Sequence, residues 1–345
     1  MGQRPMVAMQ NSNTQQQASQ QLTSEPTTHQ FEFNGNAGEY FKIWIVNICL
    51  TLVTVGIYSA WAKVRTNRYF YSNTILAGAT FDYLAKPQDI LKGRAIAVGF
   101  FVLYSLFTQV NPASGLLFAA AFVFLVPWVV GRALMFRARN TAYRNVRFNF
   151  KSNYSDAMQI FILFPILIIF TLGLILPYIV YLQKRFIVEN SFFGNTKFDF
   201  DGQAKEFYRV ALIAGVVTVL GVIIAVLIPV AGIIIMYAAY LYAYAYFQAN
   251  IWNLAYGSSS LGENGFSCSF ETKDLLILYV TNSIAILLSL GLLIPWAKIR
   301  MAKYKAEHMQ FHAVQSLDSF LADNQVDSRA VGEEIGEAFG WEVAL

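Results

Sequence analysis

The chain has 345 residues, 56% of them hydrophobic and only 13% charged, at a mean hydropathy of +0.44. A water-soluble domain carries about a quarter charged residues, so the composition excludes an ordinary soluble fold. The net charge of +4 is unevenly placed: residues 306–345 hold eight acids and one base, Arg329, which leaves +11 on the rest.

Residues 1–30 are rich in Gln, Ser and Thr, lack the apolar centre of a cleavable signal, and read as a disordered tail. Uncharged runs then cover 43–62, 95–131, 157–183, 210–262 and 275–297. At roughly 20 residues per crossing, their lengths give one, two, one, two and one passes. The two long runs break at Asn111-Pro-Ala-Ser-Gly115 and Ile228-Pro-Val-Ala-Gly232, as tight turns do. The expected fold is an all-α polytopic membrane protein of about seven transmembrane helices.

Short aromatic elements punctuate these runs: Phe31-Glu-Phe33, Phe81-Asp-Tyr83, Phe148-Asn-Phe150, Phe198-Asp-Phe200 and, more loosely, Phe266 to Phe270. In the first four, an acid stands six residues past the second aromatic (Glu39, Asp89, Asp156, Glu206), where a helix N-terminus favours negative charge. Twelve residues past Trp61, Trp128 and Tyr178 come Asn73, Asn140 and Asn190. Five further on stand Gly78, Asn145 and Asn195, residue types that tolerate positive φ. These spacings predict short β-hairpins at the membrane surface. A larger period of about 117 residues maps Trp61 onto Tyr178 and Trp296, and Phe33 onto Phe150 and Phe270. The chain therefore reads as tandem three-helix repeats over 31–147 and 148–265, a partial third over 266–305, and an acidic C-terminal tail over 306–345.

The stretches Phe31-Glu-Phe-Asn-Gly35, Thr54-Val-Gly-Ile-Tyr-Ser-Ala-Trp-Ala-Lys63, Arg68-Tyr69, Asn73-Thr74 and Lys92-Gly-Arg94 resemble the YjgN family of bacterial inner-membrane proteins, a domain of unknown function. The resemblance covers about 31–310, is looser in the second unit and departs around 241–265, where the basic residues are missing. It implies a multi-pass protein of the bacterial inner membrane. It brings no reaction and no site residues.

Three crossings per repeat would invert each successive unit. The cations after passes one, three and seven favour a cytoplasmic C-terminus. Against this scheme, Lys184, Arg185, Lys197, Lys205 and Arg209 fall on its outer side. In the rival scheme the three single segments are re-entrant hairpins beside four spans, and all five aromatic elements share the cytoplasmic face. Seven spans are preferred because re-entrant backbone must be shielded from lipid.

The chemistry is sparse. No Gly-rich phosphate loop, His-Glu-x-x-His or Cys-x-x-Cys occurs, and Cys49 and Cys268 make no disulfide framework. His308 and His312, four apart on an expected helix, lack a third ligand, so a solvated face is the better reading. No metal, cofactor or nucleic acid is expected, and no nucleophile–base pair marks an enzyme. The absence of Asp, Glu, Lys and Arg at membrane depth weighs against proton-driven transport. Asn47, Thr51, Thr54, Gly56, Thr171, Gly173, Pro177, Asn282, Ser289 and Gly291 occupy corresponding places in the repeats and form the candidate solute site. Close helix packing explains the same residues more economically. Trp61, Lys63, Arg65 and Arg68, with Trp296, Lys298, Arg300 and Lys303, form the candidate interface and lipid-headgroup set. Two functions follow: a small-solute carrier or channel, and as the alternative an anionic-lipid-binding or scaffolding protein without transport. Membrane lipids, above all anionic ones, are the expected partners; a further copy of the chain and a small solute are also admitted.

Overall fold

Every helical excursion begins and ends on one ring of β-strands in the computed structural model, which describes residues 27–314. The strands are β1 (Thr27–Phe33), β2 (Thr74–Leu76), β3 (Ala79–Tyr83), β4 (Thr141–Tyr143), β5 (Val146–Phe150), β6 (Ser191–Phe193), β7 (Thr196–Phe200), β8 (Ser259–Leu261), β9 (Asn264–Cys268) and β10 (Met309–Ala313). Five helix pairs fill the intervals. They are α1 (Ala37–Val53) with α2 (Ser59–Ser72), α3 (Pro87–Val110) with α4 (Pro112–Arg139), and α5 (Tyr154–Phe170, with a π-helical turn at Gln159–Leu163) with α6 (Leu176–Glu189). The last two are α7 (Ala204–Leu227) with α8 (Pro229–Gly257), and α9 (Thr272–Leu288) with α10 (Ile294–Glu307).

The hairpins form for local reasons. Two-residue turns of the kind joining β2 to β3 and β4 to β5 need positive φ at both positions. Ala77–Gly78 (46° and 74°) and Arg144–Asn145 (45° and 68°) supply it, and the next two hairpins place it on Gly194 (57°) and Gly262 (60°). Each longer strand then serves two neighbours. β3 pairs with β2 through Ala79 and Thr80 and with β4 through Phe81 to Tyr83. β1 does the same across the ends of the chain, pairing Thr27 to Gln30 with β10 and Phe31 to Phe33 with β2. Thr28 and His312, 284 residues apart, are partners there, and that contact closes a ten-strand antiparallel barrel.

A second set of contacts ties barrel to helices. The N–H that follows each longer strand donates to the carbonyl of the residue that ends a returning helix: Asn34 to Asn73 (2.9 Å), Leu84 to Asn140 (2.8 Å), Lys151 to Asn190 (2.9 Å), Asp201 to Ser258 (2.9 Å) and Ser269 to His308 (3.1 Å). The side-chain amides of Asn73, Asn140 and Asn190 donate back to the carbonyls of Tyr69, Phe136 and Phe186. The side chains thus add a second donor to last-turn carbonyls and fix the helix end, which is what the recurring Asn spacing encodes. The first-turn acids recur too, with Asp274 on α9 joining the four expected from the sequence.

Inside the barrel Phe31, Phe81, Phe148, Phe198 and Phe266 lie opposite Leu76, Tyr143, Phe193, Leu261 and Phe311. The second aromatics, Phe33, Tyr83, Phe150, Phe200 and Phe270, each anchor a separate cluster among the helices. Phe33, for example, packs with Tyr40, Tyr69 and Ile299, and burying such a ring contributes roughly 2–3 kcal/mol. Around the ring each returning helix packs on the next outgoing one: α2 on α3, α4 on α5, α6 on α7, α8 on α9, and α10 on α1.

The fold is therefore not all-α with seven transmembrane helices. Among the described residues three helices are long and apolar enough to cross a membrane: Pro87–Gln109, Ala113–Arg139 and Ala204–Leu227. The uncharged runs 43–62, 157–183 and 275–297 each fold into two helices about a short apolar turn. In these turns Val55–Gly56, Leu172–Gly173 and Leu290–Gly291 repeat one conformation, with φ of 50° and 89°, 49° and 87°, and 50° and 92°. The N–H groups of Gly56, Gly173 and Gly291 donate to the carbonyls of Thr51, Ile168 and Ile286 at 2.8 to 2.9 Å, and glycine adopts this geometry without a Cβ penalty. Counting uncharged residues overlooks such turns because they carry no charge to interrupt the run.

β1 starts inside the stretch assigned to the amino-terminal tail and β10 inside that assigned to the acidic tail. The remainder of both tails, 1–26 and 315–345, lies outside the described residues. His308 ends α10 whereas His312 sits on β10 between Thr28 and Ser267, so the two do not share a helix face.

Candidate functional site

The residues expected to form one solute site divide into two groups. Thr54 and Gly56, Thr171 and Gly173, and Ser289 and Gly291 build the three hairpin tips. There the hydroxyls serve the turns: Thr54 Oγ1 accepts from the Tyr58 N–H (2.9 Å) and Ser289 Oγ from the Leu293 N–H (3.0 Å), while Thr171 Oγ1 donates to the Leu167 carbonyl (2.8 Å). Pro177 stands in the first turn of α6, where its missing N–H costs nothing. In ring order the α3–α4 pair stands between the α5–α6 tip and the α1–α2 tip.

Asn47 and Thr51 lie elsewhere, in a groove between α1, α2 and α10. It encloses about 460 Å³ and is lined by Tyr40, Trp44, Asn47, Thr51, Thr66, Asn67, Lys63 and Lys298 among others. The groove thus unites two residues expected at a solute site with two expected at lipid headgroups. No carboxylate lines it. Tyr40, Thr66 and Asn67 were not anticipated, although Thr66 and Asn67 follow Lys63 by one helical turn and share its face.

Asn47 is 5% exposed. Its Nδ2 donates to the Ala62 carbonyl at 3.4 Å, Thr51 Oγ1 donates to its backbone carbonyl at 2.6 Å, and its Oδ1 is buried without a partner. The repeat-related Asn282 shows what is missing. There Nδ2 donates to the Ala297 carbonyl (3.5 Å), while Oδ1 accepts from Arg300 Nη1 at 2.9 Å. Arg300 is also held by Thr281 Oγ1 (2.9 Å) and lies 4.6 Å over the Trp296 ring. In the first hairpin Val46 replaces Thr281, and Arg65, the counterpart of Arg300, is exposed. Without the second anchor the guanidinium stays outside and the Asn47 oxygen stays open.

The other headgroup candidates have separate duties. Arg68 donates to the carbonyls of Tyr83 (3.3 Å) and Ala85 (3.4 Å), fastening α2 to the next unit. Trp61 stacks on Tyr58, and Lys303 is exposed on α10. Near the rim Tyr69 accepts from the Asn36 N–H and donates toward Glu39 Oε2 (3.3 Å); burial, then the Glu39 charge, raises its phenol above the ordinary value.

Comparison with known proteins adds a family and little more. A family described as bacterial protein of unknown function (DUF898) matches residues 28–338. Inner membrane protein YjgN of Salmonella typhimurium is 29% identical over 149 residues, which are 43% of this chain and 38% of that protein. Its namesakes in Escherichia coli O157:H7 and K12 are each 27% identical over 147 residues, 42% of this chain and 37% of theirs. The matched stretch thus spans under two fifths of these relatives. No solved structure matches.

Proposed function

Since this chain belongs to the YjgN family, bacterial proteins of unknown function (DUF898), we propose that it is an inner-membrane protein that binds an anionic phospholipid headgroup between α1, α2 and α10. The relatives' names and the three apolar helices support the location. With both ends of every helix pair on one barrel, a helix that crosses needs a partner that returns, so α7 crosses with α8 as α3 does with α4. The three short pairs are re-entrant. Their tips are apolar and bare, with Val55, Leu172 and Leu290 at 92%, 93% and 94% exposure, which suits hydrocarbon rather than water. A helix of 14 residues, such as α2, reaches only about 21 Å against a core of roughly 30 Å. The barrel then faces the cytoplasm, and the cations at 184–209, an objection to inverted repeats, fall on the inner side with the rest.

The observation that carries the lipid assignment is the buried, unpaired oxygen of Asn47 in a groove that two lysines line. A buried unsatisfied acceptor costs roughly 1–3 kcal/mol, which a ligand donor recovers. Lys63 and Lys298 call for a phosphate; Asn47 calls for a hydroxyl or ammonium. A glycerol headgroup supplies phosphate and hydroxyl together, whereas the ammonium of an ethanolamine headgroup would meet two like charges. Delipidated protein in detergent should therefore melt higher with phosphatidylglycerol than with phosphatidylethanolamine, and Lys63→Ala/Lys298→Ala should abolish the difference. Equal response to both lipids would sink the assignment.

A further inference from the structure

A cavity lies where the barrel's packed core meets the helices. Inward side chains of the barrel, with Ile187, Val188 and Tyr256 of the helices, bound about 430 Å³, within the roughly 300–1,000 Å³ of small-molecule pockets. The lining is apolar except at the end facing the helices, where Arg137, Tyr256, Ser191 and Ser259 stand. Tyr256 and Ile187 retain 42% and 37% exposure although both lie inside the ring of helices. Side chains do this when they border an internal vestibule rather than the outer surface.

Arg137 lines that mouth, and Lys305 lies near enough to feel the charges of Arg137 and Lys184. Arg137 on α4 and Lys305 on α10 each precede by three residues the residue that ends their helix, and Lys184 on α6 precedes its own by six. All three therefore sit just below the barrel. The α9–α10 pair is a ring neighbour of neither α3–α4 nor α5–α6, so the three can approach only across the axis. Lys305 is held below the ordinary lysine range by burial first, then by the charges of Lys184 and Arg137. Burial alone lowers Lys184. Lys305 Nζ lies 4.2 Å over the Trp252 ring. Among the described residues no carboxylate forms an ion pair with any of the three.

Like charges gathered without a counter-ion beside an apolar cavity are costly unless something compensates them. We propose that the lumen binds a single-chain amphiphilic anion, a long-chain fatty carboxylate, with its chain among the inner phenylalanines and its carboxylate on Arg137, Lys184 and Lys305. The guanidinium offers the bidentate geometry a carboxylate prefers, and the two ammonium groups supply further charge. A small inorganic anion would satisfy the cations and leave the cavity empty. A two-chain phospholipid would exceed the volume.

The test is calorimetric titration of full-length protein in amphipol, which avoids micelles that would absorb the probe. Dodecanoate should bind, and each removal of two methylenes should weaken it roughly tenfold if those groups are buried. Acetate and inorganic phosphate should bind negligibly. Lys305→Gln and Lys184→Gln should each weaken dodecanoate at least fivefold while keeping the chain-length series. Asn47→Leu should leave it unchanged, since the groove on α1 is a different site. Acetate binding as tightly as dodecanoate would mean a free-anion site and overturn the proposal. Absence of dodecanoate binding in a folded wild-type protein, or binding indifferent to both lysine variants, would overturn it as well.

Discussion

Substituting the two repeat-related asparagines by leucine should move stability in opposite directions. Asn47→Leu removes a buried oxygen whose lack of a partner costs roughly 1–3 kcal/mol, and sacrifices only a long 3.4 Å bond from Nδ2 to the Ala62 carbonyl. The net expectation in delipidated protein is a gain of about 1 kcal/mol, or about 2 °C in Tm for a chain this long. Asn282→Leu instead strips Arg300 of a 2.9 Å acceptor. A hydrogen bond to a charged group contributes roughly 1.5–3 kcal/mol, and Thr281 and Trp296 still hold the guanidinium, so a loss of about 2 kcal/mol is expected. Thermal unfolding in detergent, before and after adding phosphatidylglycerol, gives both numbers. The lipid should raise the wild type and Asn282→Leu, and raise Asn47→Leu by much less. If Asn47→Leu melted as low as Asn282→Leu without lipid, or kept the full lipid response, the role given to its oxygen would be wrong.

Two further outcomes are open to direct measurement. Single cysteines placed at Gly78, Asn195 and Glu263, one in each of three hairpin turns, should all be labelled by a membrane-impermeant maleimide from the cytoplasmic side, and one at Val55 from neither side; periplasmic labelling at Asn195 would restore alternating units. Burial pushes the Cys268 thiol up to about 12, so its thiolate fraction at pH 8 is on the order of 10⁻⁴ against about a quarter for an exposed cysteine. In a Cys49→Ser background, alkylation at pH 8 should be roughly a thousandfold slower than after denaturation; equal rates would show that the β9 end is open to solvent.

Much of the local architecture was readable from residue types and spacings. The aromatic elements are strands, the turns at Gly78 and Asn145 take positive φ, the acids at Glu39, Asp89, Asp156 and Glu206 sit in first helical turns, and Asn73, Asn140 and Asn190 end helices. Each of these follows from interactions within a few residues, where side-chain chemistry acts on the neighbouring backbone. Lys63 and Asn47 were also singled out, but for different sites, because nothing in their spacing says that α10 will bring Lys298 alongside them.

The partners of the strands and the cavity beside the barrel core were decided only in three dimensions. A strand's sequence states that it will pair, not with which partner; β1 meets β10 across nearly the whole chain, and that pairing puts all helix ends on one side. The turns of the short pairs are apolar, so a helical hairpin and one long apolar helix have the same composition, and only the closed ring tells them apart. The open oxygen of Asn47 is equally invisible along the chain. It accompanies an exposed Arg65 where Arg300 folds in, with Val46 in place of Thr281.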